Sequence, residues 1–590
     1  MTDASAAGTR LRPLTEAKEW QTALRWADTF TRELPGDQVL GTTPADSPYG
    51  MLEREPNSEN RVDIPEARLR ASRGVRGALW SWTVPEAVKN PRLISVSRAG
   101  ARLVGLDSDE LWADKRAAGR VWSGAERLPG SYPWAHCYGG HQFGVWADQL
   151  GDGRAMSLGE VVDVAGRWEL QLKGVGRTPY ARFADGYAVR RSSIREFLAA
   201  EHLNALGIPT TRSLVLVFTD RVIQREEEEY GAVVTRLAPS WVRFGSFELP
   251  ASRGDHGLVK ELADYLLRRH LGGESAAEPR ERYAGLLREI VSRTARMVAR
   301  WQAAGFCHGV MNTDNMSVLG VTLDFGPYAF LDAYEPGFIC NHSDPGGRYA
   351  FEEQPRVALW NLIRLAGSMS VLIDRPHDLD SAGEHEPQQE TVKAIQDALN
   401  SFADVYTGEF ARAMQHKMGL FDAPQDDDVE YVVQPFLDLL AEAKTDYTFA
   451  MRTLCDVAEA LVSGDRSVDE YVDRLSERSL MGSCDAGEWQ QKLERYLREV
   501  YGPRLRRHNT AEDIGQRMRR ENPRFVLRNW VAQDIIERAA AGDEQWIDKC
   551  LDVLTTHAFD TQLPDHLRAA EKYAGPVPAW GEGLQCSCSS

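Results

Sequence analysis

Two oxygen-bearing side chains, spaced for metal chemistry on phosphate, are the strongest functional signal in the sequence. Asn315 ends the segment HGVMNTDN at 308–315, and Asp324 begins the tripeptide DFG nine residues later. An Asn and an Asp in this order hold magnesium in enzymes that transfer phosphoryl groups. DFG alone arises by chance in long chains, but its register with His308 and Asn315 makes chance a poor explanation. Asn315 and Asp324 are therefore the predicted metal ligands.

One position of this pattern carries an unexpected residue. In the protein-kinase motif H-R-D-x-x-x-x-N, the Asp accepts the proton of the hydroxyl that receives the phosphoryl group. Alignment on His308 places Val310 at that position. An apolar side chain can neither accept a proton nor orient a hydroxyl. The sequence therefore predicts metal-binding residues without the usual base, so that the chain transfers either nothing or a different group.

An earlier group of residues has the order of a phosphate-binding loop followed by a strand lysine. Gly151, Gly153 and Arg154 lie about twenty residues before Lys173. Glycines allow backbone amides to approach phosphate oxygens, and a lysine supplies a positive charge for them. A G-x-G segment alone is more often a hairpin turn. Because Lys173 follows on an apolar strand, we favour phosphate binding.

Glu196 lies beyond Lys173 at about the distance at which kinases place the helix glutamate that pairs with the strand lysine. The alternative is a capping box, in which Glu196 closes onto Ser193 at the start of a helix predicted from Ser193 to Gly207. We favour the ion pair, because both residues occur in kinase order.

Three further sites could complete a nucleotide pocket. Asp185-Gly186 is a turn signal by default and a loop over a nucleotide only by context. Arg236 and Arg243 are expected near the junction of two structural units. Bidentate guanidinium groups suit terminal phosphates, although ordinary surface ion pairs are the alternative.

Composition restricts the class of protein. The chain has 590 residues, 43% of them hydrophobic, and its apolar runs are shorter than the roughly eighteen residues of a membrane span. Its net charge of -18 argues against a general nucleic-acid binder, because phosphate backbones require a basic surface. Residues 1–13 lack the apolar stretch of a signal peptide. We therefore expect a cytoplasmic protein with neither a membrane nor a nucleic-acid partner.

Periodicity predicts an α+β protein. Short strand-like patterns run from about 79 to 234, interrupted by the one helix that contains Glu196, and long helical patterns follow from about 260. The expected parts are a partly ordered lead-in at 1–70, a β-rich N-terminal lobe at 71–245, an α-rich C-terminal lobe at 246–520, and a C-terminal helical extension with a redox tail at 521–590.

Several longer strings together resemble the selenoprotein O family of kinase-like enzymes. The similarity covers nearly the whole chain after about residue 65. The strings are YGGHQFG at 138–144, QLKGVGRTP at 171–179, RRSSIREF at 190–197, HGVMNTDNMS at 308–317, DFG at 324–326 and the terminal CSS at 588–590. Independent motifs in the same order make a chance match implausible.

This resemblance implies a protein-kinase-like, two-lobed fold and protein adenylylation. Members transfer AMP from ATP, bound in an inverted orientation, to Ser, Thr or Tyr hydroxyls of proteins and release pyrophosphate. Uridylylation from UTP is also associated with the family. The implied nucleotide contacts are Gly151, Gly153, Arg154, Lys173, Asp185, Gly186, Arg236, Arg243 and Asp324. Asn315 and Asp324 would ligate Mg²⁺ or Mn²⁺, and Asp314 would accept a proton, with Lys173 and Glu196 also expected to act in catalysis.

The resemblance also implies a redox link. In the family a terminal cysteine or selenocysteine forms a disulfide with a cysteine of the activation-loop region. The corresponding residues here are Cys588 and Cys340, with Cys586 as a competing thiol. Because this chain has Cys where some relatives carry selenocysteine, any redox switch is expected to be slower and less sensitive.

Two other functions stay open at this point. A small-molecule or protein kinase is one, and aminoglycoside phosphotransferases also carry an H-G motif, but Val310 counts against it because those enzymes keep the catalytic Asp. A pseudokinase scaffold that binds nucleotide without turnover is the other. A scaffold has no need of Lys173, Asn315 and Asp324 together. We expect a monomer whose partners are protein substrates.

Overall fold

An antiparallel sheet and a large set of helices make up this mixed α/β protein. The structure is a computed structural model, and it describes residues 9–10, 18–54, 61–62, 64–272, 278–379, 386–421, 427–464, 468–482, 484–508 and 513–585. Two of the predicted redox residues, Cys586 and Cys588, lie outside the described residues.

Most of the strands belong to one sheet. The strands are β1 (Thr9–Arg10), β2 (Arg61–Val62), β3 (Trp80–Trp82), β4 (Arg92–Val96), β5 (Trp134–His136), β6 (His141–Gln142), β7 (Val145–Trp146), β8 (Ala155–Asp163), β9 (Gly166–Lys173), β10 (Ala188–Val189), β11 (Arg212–Gln224), β12 (Glu228–Ala238), β13 (Phe306–Cys307) and β14 (Ala329–Phe330). The sheet has the order β3-β5-β8-β9-β12-β11-β4, with β10 paired to β12. All of its pairs are antiparallel.

The register of β9 separates an apolar face of the sheet from a polar one. Side chains alternate between the two faces of a strand. Leu170 and Leu172 are buried in an apolar cluster, and Gln171 and Lys173 therefore point to the opposite face. Arg236 on β12 lies directly across from Gln171. A slip of one residue would exchange the two faces and move Lys173 into the apolar cluster.

The helices account for most of the chain after β12. They are α1 (Glu19–Thr22), α2 (Thr29–Glu33), α3 (Pro48–Arg54), α4 (Glu66–Leu69), α5 (Arg98–Leu103), α6 (Ser108–Ala113), α7 (Lys115–Trp122), α8 (Arg190–Ala205), α9 (Phe244–Ser252), α10 (His256–Leu266), α11 (Pro279–Ala304), α12 (Gln354–Asp374), α13 (Gln389–Lys417), α14 (Gln434–Ala443), α15 (Tyr447–Ser463), α16 (Asp469–Ser476), α17 (Ala486–Arg495), α18 (Gly502–His508), α19 (Ile514–Glu521), α20 (Asn529–Ala540) and α21 (Gln545–Thr555).

One apolar cluster joins the sheet to these helices. It contains Trp80 of the sheet, Phe197 of α8, Leu287 of α11, Leu362 of α12 and Ile535 of α20. Burial of a large apolar side chain stabilises a fold by about 1.5–3 kcal/mol. Because the cluster is continuous, the sheet and these helices support each other's positions.

Helix α8 is fixed by hydrogen bonds to segments far away in sequence. The Arg195 guanidinium donates to the Tyr328 carbonyl at 2.7 Å and to Asn529 Oδ1 at 3.1 Å. Nδ1 of the buried His202 donates to the Leu554 carbonyl at 2.8 Å. The C-terminal helices α20 and α21 therefore hold α8 in place beside the sheet.

Two predictions about helices were wrong. The strand-like region contains α5, α6 and α7 in addition to α8, because Ser97 and Asp107 cap short helices that the strand pattern concealed. Helix α8 begins at Arg190 instead of Ser193, and its N-terminal flanking residue, Val189, makes no side-chain cap. The start is set by β10, whose pairing with β12 leads the chain directly into the helix.

Helix α12 is the one described helix with the length and apolar character of a membrane span. An 18-residue window of the segment Phe351–Asp374 has a mean hydropathy of 1.3, and 56% of that window is buried inside the fold. Its inward residues, such as Leu362, Leu365 and Met369, belong to the cluster that joins the helices to the sheet. Core packing therefore accounts for its apolar residues, and the expected lack of a membrane partner stays a prediction.

The buried His202 predicts a pH-dependent stability. Burial lowers the pKa of His202 to about 4, against the hydrogen bond to Leu554. The unfolded chain takes up this proton below pH 6.5 or so, so stability falls as pH drops through that range. Because of the protonation of His202 alone, the free energy of unfolding should be about 2 kcal/mol lower at pH 5 than at pH 7. Urea denaturation at both pH values should show this loss reduced in His202→Gln.

A matched control is available at an exposed histidine. His342→Gln should keep the wild-type dependence of stability on pH, because His342 is solvent-exposed. Equal pH dependence in wild type and His202→Gln would show that the charge state of His202 does not affect folding.

Candidate functional site

A cavity of about 870 Å³ lies between the sheet, α8 and the segment 310–327. All the residues predicted from the sequence to bind nucleotide or metal, or to act in catalysis, line this cavity. They are Gly151, Gly153, Arg154, Lys173, Asp185, Gly186, Glu196, Arg236, Arg243, Asp314, Asn315 and Asp324. The redox residue Cys340 does not line it. Segments that are far apart in sequence thus meet at one place.

The predicted ion pair between Lys173 and Glu196 is confirmed. Lys173 Nζ on β9 lies 2.6 Å from Glu196 Oε2 on α8. Burial lowers the pKa of Lys173, and the nearby Glu196 carboxylate opposes that shift. The capping-box alternative was wrong, because Ser193 lies inside the helix and Glu196 faces the sheet.

Asp324 lies at the centre of a buried group of charges. Arg236 Nη1 donates to Asp324 Oδ1 at 2.6 Å, and Arg243 Nη1 donates to Oδ2. Lys173 Nζ is 3.8 Å from Oδ1. Burial alone would raise the pKa of Asp324, but Arg243, Arg236 and Lys173 outweigh it and hold the pKa well below the usual range. Asp324 is therefore an anion at any physiological pH.

The two arginines are held in position by further contacts. Arg236 donates from Nε to Gln171 Oε1 at 2.9 Å and from Nη1 to Glu196 Oε1 at 2.9 Å. Arg243 donates from Nη1 to the Asp314 carbonyl at 2.7 Å. Both are almost completely buried, which excludes the surface ion-pair alternative. Buried, fixed guanidinium groups are suited to binding an anion without reorganisation.

Aromatic and polar side chains complete the surroundings of the arginines. The Arg236 guanidinium lies over the Trp241 ring at 4.3 Å, and that of Arg243 lies over the Tyr138 ring at 4.6 Å. Asp152 Oδ1 is 3.7 Å from Arg243 Nη2. Sequence reasoning did not assign roles to these residues, although Tyr138 lies in the YGGHQFG string and Asp152 lies between two glycines that were singled out.

The loop that carries Asn315 is anchored at both ends. His308 Nε2 donates to the Leu323 carbonyl at 2.9 Å, and burial lowers the His308 pKa. Asn315 Nδ2 donates to the Val310 carbonyl at 3.0 Å, which leaves the amide oxygen of Asn315 for a cation. Val310 lines the cavity at the position where kinases have their base, so the absence of a carboxylate there is a feature of the folded site.

Asp314 is the residue of this loop whose carboxyl group is best suited to act as a general base. Burial raises its pKa to about 7, against the opposing charge of Arg243 and a hydrogen bond from Gln142. Gln142 Nε2 donates to Asp314 Oδ2 at 3.3 Å, and Oδ1 is buried with no hydrogen-bond partner among the described residues. A carboxyl group with a pKa near neutrality can accept a proton at cellular pH.

Steric contacts explain why glycine occupies two of the predicted loop positions. Gly151 has a φ of +115°, and a Cβ there would lie 2.6 Å from the Tyr180 ring. At Gly186, with φ +80°, a Cβ would lie 2.2 Å from the Gly176 backbone. Asp185 beside it is ion-paired with Arg225 at 2.7 Å. Close packing of the loops therefore explains both glycines, and phosphate contact by their backbone stays a prediction.

The oxygen ligands in the cavity suit a hard divalent cation. Asp324 supplies a carboxylate and Asn315 an amide oxygen, and both line the same cavity. No group of three or more His, Cys, Asp or Glu that could hold a metal occurs among the described residues. Mg²⁺ is commonly bound by one or two protein oxygens together with substrate phosphates. The residues therefore fit a Mg²⁺ or Mn²⁺ ion that is bound mainly through a nucleotide.

Cys340 lies behind the loop that begins at His308 and carries Asn315. It is buried, and its Sγ is 3.5 Å from Cys307 Sγ. A Cβ at Gly309 would lie 2.5 Å from Cys340 Sγ, so the thiol contacts the loop that begins at His308. The pairing of Cys340 with Cys588 stays a prediction, because Cys588 is not among the described residues.

A buried Lys–Glu pair facing Asn and Asp oxygens is the side-chain set of a transferase that acts on phosphate groups. The family model for protein adenylyltransferase SelO matches residues 76–555, and the chain belongs to this family. The family resemblance found in the sequence is thereby confirmed. Family membership makes the chain an enzyme of the nucleotidyltransferase class.

Curated relatives match nearly their whole length. Protein nucleotidyltransferase YdiU of Bordetella petrii is 42% identical over 538 residues, which cover 90% of this chain and 98% of the relative. The protein of the same name from Myxococcus xanthus is 42% identical over 531 residues, with 90% and 99% covered. That from Cupriavidus metallidurans is 41% identical over 582 residues, with 95% and 100% covered.

The buried Lys173–Glu196 pair predicts strong energetic coupling. Loss of one member of a buried ion pair typically costs about 3–5 kcal/mol, because the other charge is left uncompensated. Glu196→Gln and Lys173→Met should each destabilise the protein by this order. The double variant should be more stable than the sum predicts, by about 1–3 kcal/mol. Urea denaturation of the four proteins would measure this coupling, and strictly additive effects would contradict the pairing.

Proposed function

We propose that the chain transfers AMP from ATP to Ser, Thr or Tyr hydroxyls of protein substrates and releases pyrophosphate, with UMP transfer from UTP as a related activity. The observation that carries this proposal is the combination of Val310 at the kinase base position with three buried cations around Asp324. A site that lacks the kinase base but keeps its metal ligands favours a different transfer on the same nucleotide. The family and the names of the curated relatives support it.

An inverted nucleotide is the orientation that fits these charges best. Lys173, Arg236 and Arg243 are almost fully buried at the inner end of the cavity. They surround the Asp324 carboxylate, so this end of the cavity is suited to negatively charged groups. The β- and γ-phosphates carry most of the charge of ATP and would be stabilised there. The α-phosphorus would then lie nearer to Asn315 and the acceptor.

The proposed reaction is a nucleotidyl transfer in which Asp314 accepts the proton. The acceptor hydroxyl oxygen forms a bond to the α-phosphorus, and the bond from the α-phosphorus to the pyrophosphate oxygen breaks. The hydroxyl proton passes to the Asp314 carboxylate. Lys173, Arg236 and Arg243 would stabilise the charge that develops on pyrophosphate. A divalent cation on Asn315 and Asp324 would neutralise phosphate charge when bound.

The arrangement of the chain supports a kinase-like, two-lobed description. The sheet that carries Lys173 and the helix that carries Glu196 correspond in order to a kinase N-terminal lobe, expected at 71–245. The loop with Asn315 and Asp324 lies between α11 and α12, within the helical region expected as a C-terminal lobe at 246–520. A cytoplasmic, monomeric enzyme acting on proteins completes the proposal.

Position-specific labelling of ATP tests the reaction. The enzyme is incubated with a divalent cation, labelled ATP and a generic protein substrate. The substrate should acquire label from the α-phosphate and none from the γ-phosphate. Asp324→Asn should lower the rate by about 10²–10³-fold, the typical loss when one group that stabilises transition-state charge is removed. Asp314→Asn should lower it by about 10²-fold or more, as expected for a lost general base.

The matched control is a partly buried carboxyl group outside the cavity. Burial raises the pKa of Asp332 to about 6, and Asp332→Asn should leave the labelling unchanged. Transfer of the γ label would identify a kinase instead. Nucleotide binding without transfer of either label would identify a pseudokinase scaffold.

We propose in addition that Cys340 and Cys588 form a regulatory disulfide. Gln585 Nε2 donates to the Ile339 carbonyl at 3.1 Å, which places the end of the described chain beside Cys340. Three further residues span at most about 10 Å, and bonded cysteines have Cα atoms about 5.5 Å apart. Cys588 is therefore within reach. Because Cys340 contacts Gly309, a bridge at Cys340 would affect the loop that carries Asn315.

Oxidation with hydrogen peroxide tests this bridge, since peroxide is reduced to water as two thiols become one disulfide. Mass spectrometry of the non-reduced protein should find a Cys340–Cys588 peptide. The rate of AMP transfer should differ between the oxidised and reduced enzyme, and Cys588→Ser should abolish that difference. Cys586→Ser is the control that should keep it. A Cys307–Cys340 peptide in place of the expected one would contradict the proposal.

A further inference from the structure

A small hairpin forms the wall of the cavity on the side of Asp314. Its strands β6 and β7 pair through His141 with Trp146 and Gln142 with Val145. Gln142 contacts the Asp314 carboxyl, and the Phe143 N–H donates to Asn312 Oδ1 at 3.1 Å. The hairpin is therefore attached to the loop that would receive the acceptor hydroxyl.

Two apolar side chains of this hairpin are exposed. Phe143 is 40% exposed and Val145 is 71% exposed. The turn between them places Gly144 against the Arg348 guanidinium, where a Cβ would lie 3.1 Å from Cζ. A larger residue at Gly144 would displace this guanidinium, so the turn and Arg348 form one surface.

Arg348 continues this surface onto helix α12. Its guanidinium lies over the Trp360 ring at 4.7 Å, and that of Arg364 lies over the same ring at 5.2 Å. The neighbouring Tyr349 donates from its hydroxyl to Asn312 Oδ1 at 2.6 Å. The two arginines are thus tied to the same loop as the hairpin.

Neither arginine has a carboxylate within ion-pair distance among the described residues. Asp344, close to Arg348 in sequence, accepts hydrogen bonds from the backbone N–H groups of Arg348 and Tyr349. The positive charge of Arg364 attracts the Glu248 carboxylate from a distance. That carboxylate is hydrogen-bonded to His141 Nδ1 at 2.7 Å instead. Nε of Arg348 is buried without an acceptor. The protein has a net charge of -18, so these two arginines form a local region of positive charge beside the site.

We propose that this surface, made of Phe143, Val145, Arg348, Trp360 and Arg364, binds the protein acceptor through an acidic side chain near its hydroxyl. This inference rests on the proposed transfer to protein hydroxyls. Gln142, which contacts Asp314, and Gly144, which lies against Arg348, are separated only by the turn residue Phe143 and are therefore at most about 7 Å apart. An extended acceptor segment would therefore place a residue two or three positions from the hydroxyl at Arg348. Its apolar side chains would contact Phe143 and Val145.

The electrostatics of the whole chain and of this surface act in opposite directions. The overall negative charge disfavours acidic substrates at long range, whereas a local cationic pair selects them at short range. Specificity for acidic residues is therefore confined to the positions that contact Arg348 and Arg364. Acidic residues elsewhere in a substrate gain nothing.

Three synthetic peptides with one acceptor hydroxyl test this inference. They carry Glu, Gln or Lys two residues from the hydroxyl and are otherwise identical. With ATP labelled at the α-phosphate, the Glu peptide should have a KM about five- to tenfold lower than the Gln peptide, with kcat nearly unchanged. The Lys peptide should be the poorest substrate. Arg348→Gln should remove the difference between Glu and Gln.

The matched control is an arginine of helix α12 that already has a carboxylate partner. Arg356 is largely exposed and ion-paired with Glu353, so Arg356→Gln removes a positive charge that is already neutralised. It should keep the wild-type preference. ATP binding and thermal melting of each variant establish that it is folded, and the peptide series with wild-type enzyme stands without any variant.

The outcomes separate this inference from the function on which it rests. Equal KM values for the Glu and Gln peptides, with label transferred to both, would overturn the docking surface and leave AMP transfer intact. The same loss in Arg348→Gln and Arg356→Gln would also overturn it. Label transferred to no peptide and to no protein would overturn the proposed function, and the docking surface with it.

Discussion

The structure depends on one carboxylate surrounded by three buried cations. Asp324 is contacted by Lys173, Arg236 and Arg243, and these come from β9, β12 and the start of α9. Ions are costly to bury, and only close, well-paired neighbours offset that cost. The register of the sheet and the position of the loop after residue 308 are therefore constrained together, because a shift in either leaves an unpaired charge in a buried place.

The same charge group explains how one site can bind opposite charges. The cations and carboxylates of this group neutralise each other within the protein. A cation that binds Asp324 would release the guanidinium groups of Arg236 and Arg243, and these would then be free for phosphate oxygens. Binding of each ligand would thus favour binding of the other. A cation on Asp324 would no longer leave that carboxylate to compete with phosphate for Arg236 and Arg243. Phosphate on the two arginines would no longer leave them to compete with the cation for Asp324. Binding of a metal and binding of a nucleotide would in this way be linked by electrostatics.

The sequence predicted the composition of the cavity better than the details of its walls. The order and spacing of motif residues can be read directly from the sequence. The cavity residues Lys173, Glu196, Asn315 and Asp324 were therefore assigned correctly as members of one site. Contacts such as Gln142 with Asp314 join residues 172 apart, and neither periodicity nor spacing reports such a contact. Helix α8 was misplaced by three residues because strand pairing, rather than a capping side chain, decides where it begins. The strand pattern likewise concealed α5 to α7.

The C-terminal helices have a consequence for the newly made chain. Helix α8 is held by bonds to Asn529 and to the Leu554 carbonyl, and α21 ends about 350 residues after α8. At a synthesis rate of roughly 5–20 residues per second, about 20–70 s pass before those partners exist. During that time α8, which carries Glu196, lacks the hydrogen bonds that Asn529 and Leu554 supply. The Lys173–Glu196 pair therefore gains its full support only after residue 554 has been made.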